Sequence, residues 1–154
     1  MVEALIEEHA HDIINDEKYL KQKEYMQHGD ISVYDHQLMV TKTSIKIAKK
    51  LRIKVNYESL IRGSLLHDYF LYDWHEKDSS HRLHGFRHAK SAMNNADRDF
   101  KLNHIEKNMI KCHMFPLNLR VPRYKESIIL CIADKICATK ETIDGKVKIL
   151  YKRY

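Results

Sequence analysis

Only two prolines and four glycines interrupt this chain of 154 residues, so long stretches of it meet no helix breaker. The residues between them are rich in Lys, Glu, Leu, Ile and Ala, and apolar and polar positions seldom alternate, which argues for an all-α chain. With 44% hydrophobic and 31% charged residues, the length suits one compact domain spanning 1–154. Disorder, collagen-like repetition and tandem domains are excluded on the same grounds. No internal repeat is present.

Periodicity and caps place the elements. Val2, Leu5, Ile6 and Ile13 give a first helix ending near Asn15, and a short polar helix follows from Asp16 to about Gln27, closed by Gly29. Ser32 with Asp35 resembles a capping box and opens a helix through Leu51. Asn56 caps the next, through Leu60, Leu65 and Leu66 to about Tyr72, after which Asp73 to Arg82 is polar and expected to be a loop. A helix is expected over Leu83 to Ala96. Asn103 and Glu106 form a second capping box, starting a helix that must stop before Pro116. The last helix runs from Tyr124 to about Thr142, where Asp144-Gly145 signals a turn into a basic tail. The expected organisation is therefore N-terminal helices over 2–28, a core over 32–142 and a tail over 145–154, with about five to seven helices in all.

The longest apolar run, Ile128 to Ala133, falls far short of the ~20 residues a membrane helix needs, and the chain opens on an acidic stretch unlike a signal peptide. Three cysteines (Cys112, Cys131, Cys137) without a C-x-x-C form neither a disulfide framework nor a thiolate zinc cage. A cytoplasmic protein with no membrane partner is expected. The net charge of +6 favours phosphate-bearing ligands.

The eleven histidines carry more information, because imidazole is the commonest transition-metal ligand. His36 shares a helical face with Val40, Ile47 and Leu51 and so points among apolar side chains. Alone it would read as a core histidine bonded to a backbone carbonyl. His67-Asp68 follows Leu65-Leu66 near a core edge, and Asp134 interrupts the apolar run from Ile128 to Ala133. Three separate helices each place an acid or an imidazole where solvent is scarce, which is costly unless a cation compensates the anions. One metal ion answers all three, and imidazole and carboxylate ligands suit Fe, Mn, Zn, Co or Ni. Salt bridges from Asp68 and Asp134 to neighbouring Lys or Arg are the alternative.

The order His36, His67-Asp68, Asp134, carried by Tyr34-Asp35-His36, Leu65-Leu66-His67-Asp68 and Ile132-Ala133-Asp134-Lys135, resembles the HD superfamily of metal-dependent phosphohydrolases over about Ser32 to Lys140. The resemblance implies a compact helical bundle of that type. His11-Asp12, on a polar amphipathic helix with no histidine upstream in the right place, reads as surface. His84-Gly85 followed by Ala89, and Cys112-His113 at a helix end, resemble the additional ligands of the two-metal branch, such as symmetrical dinucleoside-polyphosphate hydrolases. Carried over residue by residue, a first ion takes His36, His67, Asp68 and Asp134. A second takes Asp68 as a bridge with His84 and His113. His81, His88 and His104 lie close enough in sequence to serve instead. The chain departs from many members in having Tyr69-Phe70-Leu71 where they have Ile-Gly-Lys after the HD pair, and it lacks the Gly-Tyr-Pro signature of cyclic-di-GMP phosphodiesterases.

The implied function is hydrolysis of a phosphoester or phosphoanhydride of a small phosphorylated substrate, a nucleotide foremost, through a metal-activated water and one or two divalent ions. Asp68 would act at the metals and Asp73 as general acid for the leaving group. Arg87, Lys90 and Lys135 are candidates for holding phosphate, since phosphoryl transfer depends on positioning and charge stabilisation. Tyr69, Phe70, Tyr72 and Trp74 offer either a stacking surface for a base or core packing. Nucleic acid is not an expected partner, the tail's Lys146, Lys148, Lys152 and Arg153 reading as a solvated end. Two alternatives stand beside hydrolysis: a di-iron oxygenase built on the same six ligands, and a non-catalytic nucleotide-binding regulatory module.

Overall fold

A computed structural model describes residues 1–28, 30–70 and 84–151, with side chains for these residues except 28, 84–88 and 145–151. The described elements are helices α1 (Val2–Ile14), α2 (Glu17–Leu20), α3 (Val33–Lys50), α4 (Tyr57–Leu66), α5 (His84–Phe100), α6 (His104–Cys112) and α7 (Lys125–Tyr151). Two short antiparallel strands, β1 (Met26–His28) and β2 (Ile31–Ser32), pair just before α3. The fold is all-α, as expected, apart from that hairpin.

α3 and α4 pack together at the centre. α7 covers α3 and α6, and α1 covers α4. α4 divides the core: Ile61, Leu65 and Leu66 join Ile6, Ile13, Tyr19 and Ile45 on one side, while Leu60 joins Val40, Met109, Leu130 and Ala133 on the other. Burial of both faces of one short helix fixes its rotation, and with it the direction of the residues that follow it.

The caps anchor these helices. Ser32 Oγ accepts from Asp35 N at 3.1 Å, but the Asp35 carboxylate accepts the Ser32 hydroxyl at 2.7 Å instead of reaching back to the backbone, so the box closes through side chains. The shorter acid explains the difference from a glutamate box. Asn103 and Glu106 form the full reciprocal box. Asn56 Oδ1 accepts from Ser59 N at 3.0 Å, while the Glu126 carboxylate accepts from Asn56 N at 2.8 Å, tying the start of α4 to the first turn of α7.

Three expected boundaries are corrected. The polar helix expected to reach Gln27 stops at Leu20, followed by a 3-10 turn over Lys21–Lys23 and then β1. No apolar stripe holds a helix there, whereas the buried amides of Gln22 and Gln37 bond each other at 3.2 and 3.1 Å and draw the chain toward α3. α4 ends at Leu66 and not near Tyr72; Tyr69 N bonds Leu66 O at 3.1 Å and Phe70 N bonds Asp68 O at 2.8 Å in a tight turn. Tyr69 and Phe70 are buried, so both serve as core and not as a stacking surface. α7 continues through Asp144-Gly145 to Tyr151, replacing the expected turn and most of the expected tail with helix. A glycine inside a helix costs about 1 kcal/mol, which a 27-residue helix packed along much of its length sustains.

Candidate metal centre

Four elements deliver the site. His36 lies one turn into α3, between buried Val33 and Val40; His67 and Asp68 sit in the turn that ends α4; His113 caps the C-terminus of α6; Asp134 lies on the inner face of α7. His36, His67, Asp68 and His113 are at most 3% exposed, while the Asp134 side chain keeps 14% of its surface in solvent. Asp134 thus marks the side from which the cluster meets water.

The side chains converge. His36 Nε2 is 3.2 Å from Asp134 Oδ1, and His67 Nε2 is 3.7 Å from the same atom. The two oxygens of Asp68 face different imidazoles, Oδ2 at 3.4 Å from His67 Nε2 and Oδ1 at 3.3 Å from His113 Nε2. Ring centroids step from His36 to His67 at 5.5 Å and from His67 to His113 at 5.1 Å.

Each imidazole is aimed by its other nitrogen. His67 Nδ1 donates to Ser64 O at 2.7 Å and His113 Nδ1 donates to Ile110 O at 2.8 Å; a carbonyl oxygen only accepts, so Nδ1 carries the proton in both. His36 Nδ1 meets the Glu141 carboxylate at 2.9 and 3.0 Å. All three rings therefore turn Nε2 toward the common centre, the orientation a metal-binding histidine adopts.

The electrostatics follow from this crowding. Burial works against a charge on His36, but hydrogen bonds to Asp134 and Glu141 and the nearby Asp68 outweigh it and push its pKa up to about 10. Burial also opposes a charge on His67, and the charges of Asp68 and Asp134 raise its pKa in spite of it. Burial would raise the Asp134 carboxyl, yet the hydrogen bond from His36 and the His67 imidazole beside it hold it well below the usual carboxylate range. Without a cation, shared protons do the neutralising.

The residues fit a divalent cation. His36, His67 and Asp134 each offer a ligand atom, and the three atoms lie within 4.8 Å of one another. His67 Nε2 is buried and makes no hydrogen bond to any described residue, although it faces two carboxylates. Such a nitrogen, with its lone pair directed at a pair of acids, is the donor a metal would use.

The other expected site residues are placed as follows. Lys135 is exposed and its amine donates to the carbonyls of His113 and Cys131, both at 3.3 Å. Lys90 is exposed on α5. His84 and Arg87 belong to the first turns of α5, with side chains outside the described residues; Asp73, Tyr72, Trp74 and His81 lie outside them altogether. His104 is exposed at the start of α6. His11 is exposed and bonded to Glu7 at 2.5 Å, and Asp12 pairs with Arg62 at 2.7 Å, so the first His-Asp pair is surface.

Two partners were not foreseen. Glu141 stands two turns after Asp134 on the same face of α7, a spacing that was readable. Gln27 on β1 donates from Nε2 to Asp68 Oδ2 at 2.8 Å, and no local signal announces it.

The profile of the HD domain matches residues 33–139, and the chain belongs to that family. The matched span contains His36, His67, Asp68, His113 and Asp134 and leaves out Gln27 and Glu141. HD domains are in general metal-dependent phosphohydrolases and bind divalent metals. No curated protein and no solved structure gives a significant match to the chain. Among the described residues no helix is long and apolar enough to cross a membrane.

Proposed function

We propose that this chain is a two-metal phosphohydrolase of a small phosphorylated substrate, with nucleotides the leading class. The observation that carries the reading is Asp68, whose two oxygens each face a different inward-pointing imidazole, at 3.3 and 3.4 Å, as a carboxylate shared between two cations would. His36, His67, Asp68 and Asp134 would hold one ion. Asp68, His113 and His84 would hold the other.

When bound, such ions supply an acidified water near neutral pH and offset charge on the phosphoryl oxygens. The chain's own residues do the rest. Ser64 and Ile110 carbonyls and the Glu141 carboxylate lock three imidazoles in the tautomer that leaves Nε2 as an acceptor. Gln27 holds Asp68 in place through Oδ2. Asp134, partly open, lies where substrate approaches. Arg87, Lys90 and Lys135 are the proposed phosphate contacts, and Asp73 the proposed proton donor to the leaving oxygen.

The test pairs elemental analysis of protein purified without chelator with a phosphate-release screen over nucleotides. Native protein should carry divalent transition metal and release phosphate from at least one nucleotide. His67→Ala and Asp68→Ala should lose metal and hydrolysis together, and His11→Ala neither. Hydrolysis persisting in metal-free Asp68→Ala would overturn the mechanism.

A further inference from the structure

A second concentration of chemistry lies on the outer side of α6. Between that helix and the 117–124 loop is a cleft of about 650 Å³ whose lining includes His104, Lys107, Lys111, Arg120, Arg123 and Tyr124, and no aspartate or glutamate. Lys107 is neutralised in part by Asp97 at 2.8 Å. Lys111, Arg120 and Arg123 form no ion pair among the described residues. A cleft lined by one sign of charge focuses the field and concentrates anions within it.

The cleft is held in shape. Asn108 Oδ1 accepts from Arg123 N at 3.1 Å and from Ser127 Oγ at 2.8 Å, and Asn118 Nδ2 donates to Lys111 O at 2.9 Å, so both ends of the loop are fastened. α6 begins at His104 and α7 just after Tyr124, so the positive ends of two helix dipoles border the same space. The rings of His104 and Tyr124 meet edge to face at 5.7 Å, and Leu119 and Val121 stand 89% and 65% exposed beside them. Cationic walls with an aromatic and aliphatic border suit phosphates attached to an apolar or planar group.

We infer that this cleft binds the polyphosphate of a small ligand, at a site separate from the metal centre. None of His36, His67, Asp68, His113 or Asp134 lines it. Binding there requires no metal and stands independently of the hydrolase reading.

Calorimetric titration of full-length protein stripped of metal, with sodium tripolyphosphate and with ATP as probes, tests it. Both should bind, and Arg120→Ser/Arg123→Ser should weaken them by about tenfold or more, since two charge-assisted contacts are lost. Lys46→Ser/Lys49→Ser, which removes the same charge from exposed positions on α3, should leave affinity unchanged. Circular dichroism should be the same for all three proteins. ATP binding more tightly than tripolyphosphate identifies the nucleotide as the source, and equal affinity identifies the phosphate chain alone; either supports the site. Absence of binding up to ~1 mM ligand overturns it. So does equal weakening by both pairs of substitutions, or a single-stranded oligonucleotide that binds more tightly than either probe. Because metal is removed beforehand, failure here leaves the hydrolase reading intact, and the converse holds.

Discussion

Both carboxylate oxygens of Glu141 reach His36 Nδ1, at 2.9 and 3.0 Å, across 105 residues of sequence, and each side chain is only 1% exposed. The pair joins a residue just beyond the family's matched span to one near its beginning and decides which way His36 turns its Nε2. Removing such a partner typically lowers metal affinity about 10–100-fold. Glu141→Ala should fall in that range by chelator competition, with helicity retained, whereas Glu141→Gln, whose amide oxygen still accepts from Nδ1, should lie between it and the native protein. Identical affinities for all three would remove Glu141 from the site.

Gln27 offers a different test, because its amide approaches Asp68 Oδ2 at 2.8 Å in a buried setting. Gln27→Glu sets a second carboxyl against Asp68, and like charges at that distance repel unless a cation or a proton intervenes. The metal-free variant should melt below metal-free native protein. Saturating Mn²⁺ should then raise its Tm by more than it raises that of the native protein, since binding stabilises the folded state that holds the ion. An unchanged gap between variant and native Tm, with and without Mn²⁺, would refute the coupling.

The sequence made much of this fold legible, and the reason is local. Ser32, Asn56 and Asn103 each stand immediately before the helix they cap, and those starts appear where the residue types place them. His36 and Val40 of the expected α3 stripe are buried, whereas Ile47 is half-buried and Leu51, just past the helix end, is 63% exposed. What escaped is tertiary. The end of α4 at Leu66 carries no Gly or Pro; it is imposed by the turn that buries Tyr69 and Phe70. Gln27 enters the site only because a hairpin replaces a helix, and that depends on Gln22 finding Gln37. Asp144-Gly145, a sound turn signal in isolation, is overridden by the helix that runs through it. At the site, a helix boundary differs by several residues, yet His67 and Asp68 still face inward because the core on both sides of α4 fixes its rotation.

That rotation rests on a close approach. An added Cβ at Gly63 would lie 2.6 Å from Met109 Sδ, 2.8 Å from Cε and 3.3 Å from Cβ, so α4 and α6 meet nearly backbone to side chain. The thioether end of Met109 can swing aside for one methyl group. Gly63→Ala should therefore be close to neutral by urea denaturation, its gain in helix propensity offsetting the displacement. Gly63→Val adds branches that the fixed Met109 Cβ cannot avoid, and should cost about 1–3 kcal/mol. A valine variant as stable as native protein would show that the two helices separate freely.

The pH dependence of stability should be traceable to Asp99, away from the metal centre. Its carboxylate accepts from Arg98 at 2.7 and 2.9 Å, from Lys18 at 3.1 Å and from the Tyr69 hydroxyl at 3.1 Å. The Arg98 guanidinium foremost, helped by Lys18 and Tyr69 against a smaller opposing effect of burial, holds its carboxyl well below the usual aspartate range. A group whose pKa is depressed on folding adds stability above its unfolded value, near ~3.9, and loses it as pH falls through that value toward the folded pKa. Native protein should thus lose more Tm between about pH 5 and pH 2 than Asp99→Asn, which has no proton to take up there. The variant should be the less stable at neutral pH, and the two melting curves should approach each other on acidification. Parallel Tm profiles over that interval would show that Asp99 contributes nothing through its charge.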